Sequence, residues 1–175
     1  MSNKFSEAKL NFLKNEIWIL TWSATSQRAN IFSKNMTEND RKKKRNEIKK
    51  TVFTIFEEFE SLEKITEDIL VQKILYLVKN FNSKSFKFNV GHSQKLVNLL
   101  LKYYWCMGWI KNEPPHCPID RIVLSKARIK SEGKTPSWTK MDNIEDYKKY
   151  LKDIKKIAYP KSIALWELEI FNRRD

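Results

Sequence analysis

The stretch from Leu96 to Trp109, LVNLLLKYYWCMGW, is almost continuously apolar, with Asn98, Lys102 and Gly108 as its main interruptions. A run of this kind reads as a helix deep in the protein, and other elements have to be wrapped around it. Lys95 stands in its opening turn, directly after Gly91-His92-Ser93-Gln94. Such a lysine is either a helix-start residue with its stem on apolar surface and its head in water, or an amine held where something reacts with it.

The covering elements also read as helices. Phe5, Leu10, Phe12, Leu13, Ile17, Trp18 and Leu20 have the spacing of a buried amphipathic helix over 5–21, followed by a polar loop from Trp22. Thr37 is placed as an N-cap, with Glu38 and Asp40 near the positive helix end, and opens a helix through RKKKRNEIKKTVFTIFEEFESL. Thr66 caps EDILVQKILYLVKNF, and NSKSFKFNV breaks it. The central helix then runs from Ser93 to Met107, until the prolines of NEPPHCP forbid continuation. IDRIVLSKARI is a short helix, KSEGKTPSW a loop, and Asp142 or Asn143 starts IEDYKKYLKDIKKIA. Pro160 ends that segment, and Ser162 starts IALWELEIFNRR. Three glycines and five prolines in 175 residues suit long helices rather than a turn-rich β-sandwich. The expectation is one all-α domain spanning 1–175, a bundle of about seven helices.

The charge points to a polyanion. Thirty-four Lys and Arg against 21 Asp and Glu leave +13, the footprint of a protein that meets phosphates. Its densest part, Arg41, Lys42, Lys43, Lys44 and Arg45, would oppose the dipole at a helix start unless anions compensate, and it reads either as a solvated face or as a strip of phosphate contacts. MSNKFSEAKL lacks the apolar core of a signal peptide, and no stretch reaches the length of a membrane span, so the expectation is a soluble, cytoplasmic protein with no membrane partner. Cys106 and Cys117 make no disulfide framework, and with His92 and His116 they show no zinc spacing; neither a metal nor another cofactor is expected. Neither a G-x-S-x-G elbow nor a phosphate-cradling glycine loop is present.

Two landmarks remain: Gly91-His92-Ser93-Gln94-Lys95, and Asp120 in Pro118-Ile119-Asp120, 25 residues beyond the lysine. Over roughly residues 86–124 the chain resembles the helix-hairpin-helix DNA glycosylases, which include the endonuclease III type and the 8-oxoguanine glycosylases. Gly91 matches the first hairpin glycine, Ser93 falls on the second, Lys95 on the nucleophilic lysine and Asp120 on the catalytic aspartate. Asn89-Val90 stands where the family has Leu-Pro, and the iron–sulfur cysteines of the endonuclease III type are absent. The resemblance implies a hairpin whose Gly91, His92, Ser93 and Gln94 meet the DNA backbone, beside Arg121 and the basic strip. It also implies excision of a flipped damaged base, with DNA (duplex, damaged or abasic) as partner and with Schiff-base lyase chemistry at Lys95.

The residues carry the same chemistry without the name. A glycine lets backbone N–H groups approach a phosphate, and a helix start adds positive potential there. A lysine attacks only when neutral, and a carboxylate beside it stabilises charge developing on a sugar. Of the nearby aromatics, Tyr103, Tyr104 and Trp105 read mostly as core, whereas Trp109 and Trp138 lie near loops and are the better candidates to stack on an extruded base. Taken singly, Lys95 is also a plain helix-start lysine and Asp120 a plain N-cap. The alternatives are a non-enzymatic basic helical protein that binds nucleic acid, and an interaction protein whose charge only solubilises it.

Overall fold

The computed structural model describes residues 2–27 and 29–171, the side chains of 2–5 excepted. Among the described residues seven α-helices follow one another: α1 (Ser2–Ser26), α2 (Glu38–Ser61), α3 (Glu67–Phe81), α4 (Val90–Cys106), α5 (Arg121–Lys126), α6 (Ile144–Ala158) and α7 (Ile163–Ile170), with a 3-10 turn at Trp138–Lys140. Among the described residues there is no β-strand, only two isolated bridges, Phe32 with Phe86 and Ser131 with Lys134. The all-α bundle expected from the sequence is the fold.

The caps explain where the helices begin. Thr37, Thr66, Asp120, Asn143 and Ser162 each accept a backbone N–H of the first turn, satisfying donors that the helix leaves over. α4 is the axis of the bundle: fourteen of its seventeen residues are buried, and α1, α3, α6 and the 3-10 turn pack around it. Its apolar residues join one continuous cluster with Trp18 and Trp22 of α1, Phe56 and Phe59 of α2, Leu70 and Ile74 of α3, and Tyr147 and Leu151 of α6.

Two boundaries differ from expectation. α1 continues through the polar TWSATS to Ser26, because the Thr21 and Thr25 hydroxyls donate back to the carbonyls of Ile17 and Thr21, and Trp18 stacks on Trp22 with centroids 5.4 Å apart. Its outer side is also apolar, leaving Phe12, Ile19 and Leu20 exposed. α4 begins at Val90 rather than Ser93, since Asn89 caps it by accepting the His92 N–H. Gly91 therefore lies inside the first turn of α4. Its φ is not among the positive ones, which belong to Gly108 and Gly133. The expected hairpin turn at Gly91 is replaced by helix. The tail NRR, expected to belong to the last helix, lies outside the described residues.

Candidate active site

Lys95 and Asp120 come together. Lys95 Nζ lies 3.3 Å from Asp120 Oδ2 and 4.4 Å from the centre of the Trp138 ring, in cation–π contact with it. The amine is thus held between a carboxylate from the start of α5 and an indole from the 3-10 turn. Lys95 is 8% exposed, and Asp120 and Trp138 are half-buried. Asp120 divides its oxygens: Oδ1 accepts from Ile122 N (2.9 Å) and Val123 N (3.1 Å) as the cap of α5, while Oδ2 faces the lysine. Its roles as helix cap and as lysine partner, alternatives in sequence, coexist.

Both arms are fixed to α4. Gln94 Nε2 donates to the Ile119 carbonyl (2.7 Å), and Ile119 N donates to Gln94 Oε1 (3.0 Å), so one buried amide clamps the backbone just before Asp120. On the other side Gly91 N donates to Met141 O (2.9 Å), and Asn89 Nδ2 donates to Thr139 O (3.0 Å) and to Asp142 Oδ1. The turn bearing Trp138 thereby lies flat on the first turn of α4. Gly91 makes this possible, because a Cβ there would sit 1.9 Å from Trp138 O.

The other expected site residues fall elsewhere. Gly91, His92, Ser93 and Gln94 are all buried, so the expectation that they meet a DNA backbone is corrected: in this conformation their polar groups serve the interior. The Ser93 hydroxyl donates to Ile74 O, and His92 Nδ1 bonds Asn89 Oδ1. Trp109 packs edge-on against Tyr104, with Lys14 over its ring; it follows the far end of α4, about 20 Å along the axis from Lys95, and does not join the site. Arg121, beside Asp120, is exposed. In the basic strip Lys42, Lys43 and Arg45 are exposed, Arg41 reaches Ser33 O and the Phe32 ring, and Lys44 pairs with Glu47 while lying over Phe81. Aromatic contacts run from Phe81 through Phe88 and His92 to Trp138, linking the strip's end of the bundle to the site.

Sequence reading missed a polar chain through the core. From Gln94 it passes to Asn98, whose Nδ2 donates to Tyr147 Oη (2.8 Å), and on to His116 Nδ1 (2.8 Å). Because Tyr147 accepts from Asn98, its own proton goes to Nδ1, which leaves the His116 proton on Nε2, 3.6 Å from Glu67. Burial lowers the pKa of His116 to about 4, against the opposing pull of Glu67; burial likewise lowers that of His92 to about 4. The sequence carries little signal for this chain of contacts: Asn98 reads there as an interruption of an apolar run, and His116 as a residue without metal spacing. Among the described residues no group of three or more His, Cys, Asp or Glu side chains is placed to hold a metal ion, and no helix is long and apolar enough to cross a membrane. Comparison with protein-family models, with curated proteins and with solved structures finds no match.

Proposed function

We propose that this chain excises a base from DNA and forms a Schiff base with the exposed sugar through Lys95. The observation that supports it most is the Lys95–Asp120 pair at 3.3 Å beneath the Trp138 ring: a nucleophile, its proton acceptor and a stacking surface at one point. In the reaction Asp120 takes a proton from the Lys95 ammonium, and the neutral amine attacks the sugar C1′. The Nζ–C1′ bond forms, the C1′–N bond to the base breaks, and the departing base keeps the electron pair and takes the proton from Asp120. The C1′–O4′ bond then opens, a proton passes from Nζ to O4′, and the Nζ=C1′ Schiff base is left. The regenerated carboxylate stabilises positive charge on the sugar. The flipped nucleotide enters where Trp138 now covers the amine, and displacing that indole is the opening step. Phosphate contacts come from the exposed part of the α2 strip and from Arg121, not from Gly91–Gln94.

Borohydride trapping on duplex DNA with an abasic site tests this reading. The wild-type chain should give a covalent adduct and Lys95→Gln none, with DNA binding nearly intact. Asp120→Asn is the sharper variant, since an asparagine oxygen still caps α5 while the charge is gone; it should slow the reaction by about 10²-fold in chain that remains folded. No adduct with the wild-type chain on abasic DNA overturns the enzyme reading and leaves a non-enzymatic nucleic-acid-binding protein.

A further inference from the structure

Beyond the far end of α5 from Asp120 lies a cleft of about 390 Å³ between the loop that follows α5 and the outer face of α6. We propose that it binds the phosphate and base of a nucleotide unit. α6 is amphipathic in two directions. Tyr147, Leu151, Ile154 and Ala158 face the core, and Tyr150 and Ile157, two turns apart, form the floor of the cleft together with Ile129. The lining is thus partly aromatic, and Tyr150 is half-buried.

Cations rim the floor. Arg128 and Lys130 come from the loop, and Lys149 and Lys156 from α6, against Asp146 and Asp153. Four positive charges against two negative leave a net of +2, the complement of one phosphate monoester. The acids are already engaged: Asp153 pairs with Lys156 at 3.0 Å, and Asp146 is bonded to the cap residue Asn143. Among the described residues no ion pair takes Arg128, Lys130 or Lys149. The loop that presents the first two is fixed by backbone hydrogen bonds. Arg128 has φ 53 and is the left-handed residue that closes α5, held by Arg128 N to Ser125 O and Ile129 N to Leu124 O. Glu132 at φ 51 and Gly133 at φ 78 then turn the chain back so that Ser131 bridges Lys134.

Stacking on an aromatic floor with phosphate held at a cationic rim is how proteins hold nucleotide units without reading their sequence. The unit is either a free mononucleotide or one nucleotide of a strand. α5 spans only about 9 Å, so a strand whose sugar lies at Lys95 has its phosphates within reach of the cleft. The inference does not rest on chemistry at Lys95.

The probes are a labelled hexathymidylate, dTMP and inorganic phosphate, measured on the full chain by fluorescence anisotropy and calorimetry. Arg128→Gln with Lys149→Gln should weaken hexathymidylate binding at least tenfold and flatten its salt dependence by roughly one to two units of log–log slope. Tyr150→Leu should weaken it about tenfold with the slope unchanged. Saturable dTMP binding that both variants lose identifies a free nucleotide as the source; its absence, with the hexamer effects present, identifies a strand. Loss with the cation variant but not with Tyr150→Leu overturns the nucleotide class, and unchanged affinity in both overturns the site. Arg128 and Lys149 are exposed, so the cation variant remains decisive should Tyr150→Leu fail to fold. Failure here leaves adduct trapping by Lys95 untouched, and the converse holds.

Discussion

A glycine in the first turn of a helix ordinarily gains from replacement by alanine, by up to about 1 kcal/mol. Gly91 reverses that sign. A Cβ would meet the Trp138 carbonyl oxygen at 1.9 Å, and the obstacle is backbone, fixed by the Gly91 N to Met141 O bond. Gly91→Ala should destabilise the chain by at least about 2 kcal/mol, in the range of overpacked sites, measured as a shift of the urea midpoint. A neutral or stabilising result means that the turn carrying Trp138 does not rest on α4 as described. The sequence marks Gly91 as special, but as a hairpin glycine approaching a phosphate, because nothing local reveals that residue 138 returns to it. Lys95 and Asp120 were legible as a pair from their types and from two helix starts. Gln94 reads in the sequence as a contact to a DNA backbone, whereas its role is to grip the backbone of Ile119, 25 positions away. Pattern carries which residues have chemistry; it does not carry which backbone a side chain will hold.

At the scale of elements, α7 docks on α4 through a buried ion pair. Lys102 Nζ lies 2.9 Å from Glu167 Oε1 and 3.0 Å from Oε2, both side chains nearly inaccessible, with the Phe171 ring 3.8 Å from the amine. Burial pushes the Glu167 carboxyl up, and the lysine opposes that shift. Lys102→Met should cost about 3–5 kcal/mol by leaving a buried carboxylate without its partner, whereas Lys102→Met with Glu167→Leu should recover most of the loss. Chemical denaturation of the two variants separates a needed pair from a replaceable one; equal costs would mean that the charges themselves are required. Caps made most helix starts readable, since Thr37, Thr66, Asn143 and Ser162 announce themselves by residue type. The end of α1 was not, because Thr21 and Thr25 look like loop residues until their hydroxyls are seen bonding back to the preceding turn. Lys102 reads in the sequence as an interruption of an apolar run, and only the arrival of α7 turns it into a contact.

The whole molecule has two histidines, and both are buried at joints between elements. His92 sits between Asn89 and Trp138, with Lys87, Lys95 and Asp142 as charged neighbours. His116 lies between Tyr147 and Glu67, with Lys155 beyond. Each has its pKa lowered from the ordinary value of 6.5 to about 4, first by burial. Above pH 6.5 both are neutral in the folded and unfolded chain, and pH has no leverage through them. As pH falls below 6.5 the unfolded chain takes up protons that the folded one refuses, so stability drops until the folded histidines themselves titrate near 4. At pH 5 the loss is about 2 kcal/mol for each histidine, roughly 4 kcal/mol together, a large share of a typical domain's total. Urea unfolding at pH 7.5 and pH 5.0 should show that fall, and His116→Asn should remove about half of the difference between the two pH values. The net charge of +13 acts in the same direction, since each added proton joins an excess of positive charge already repelling itself. Salt distinguishes the two causes: 0.5 M NaCl screens the surface repulsion but leaves the cost of protonating a buried imidazole nearly unchanged. A pH dependence that vanishes in salt would therefore place its origin on the surface, and one that survives places it in the two joints.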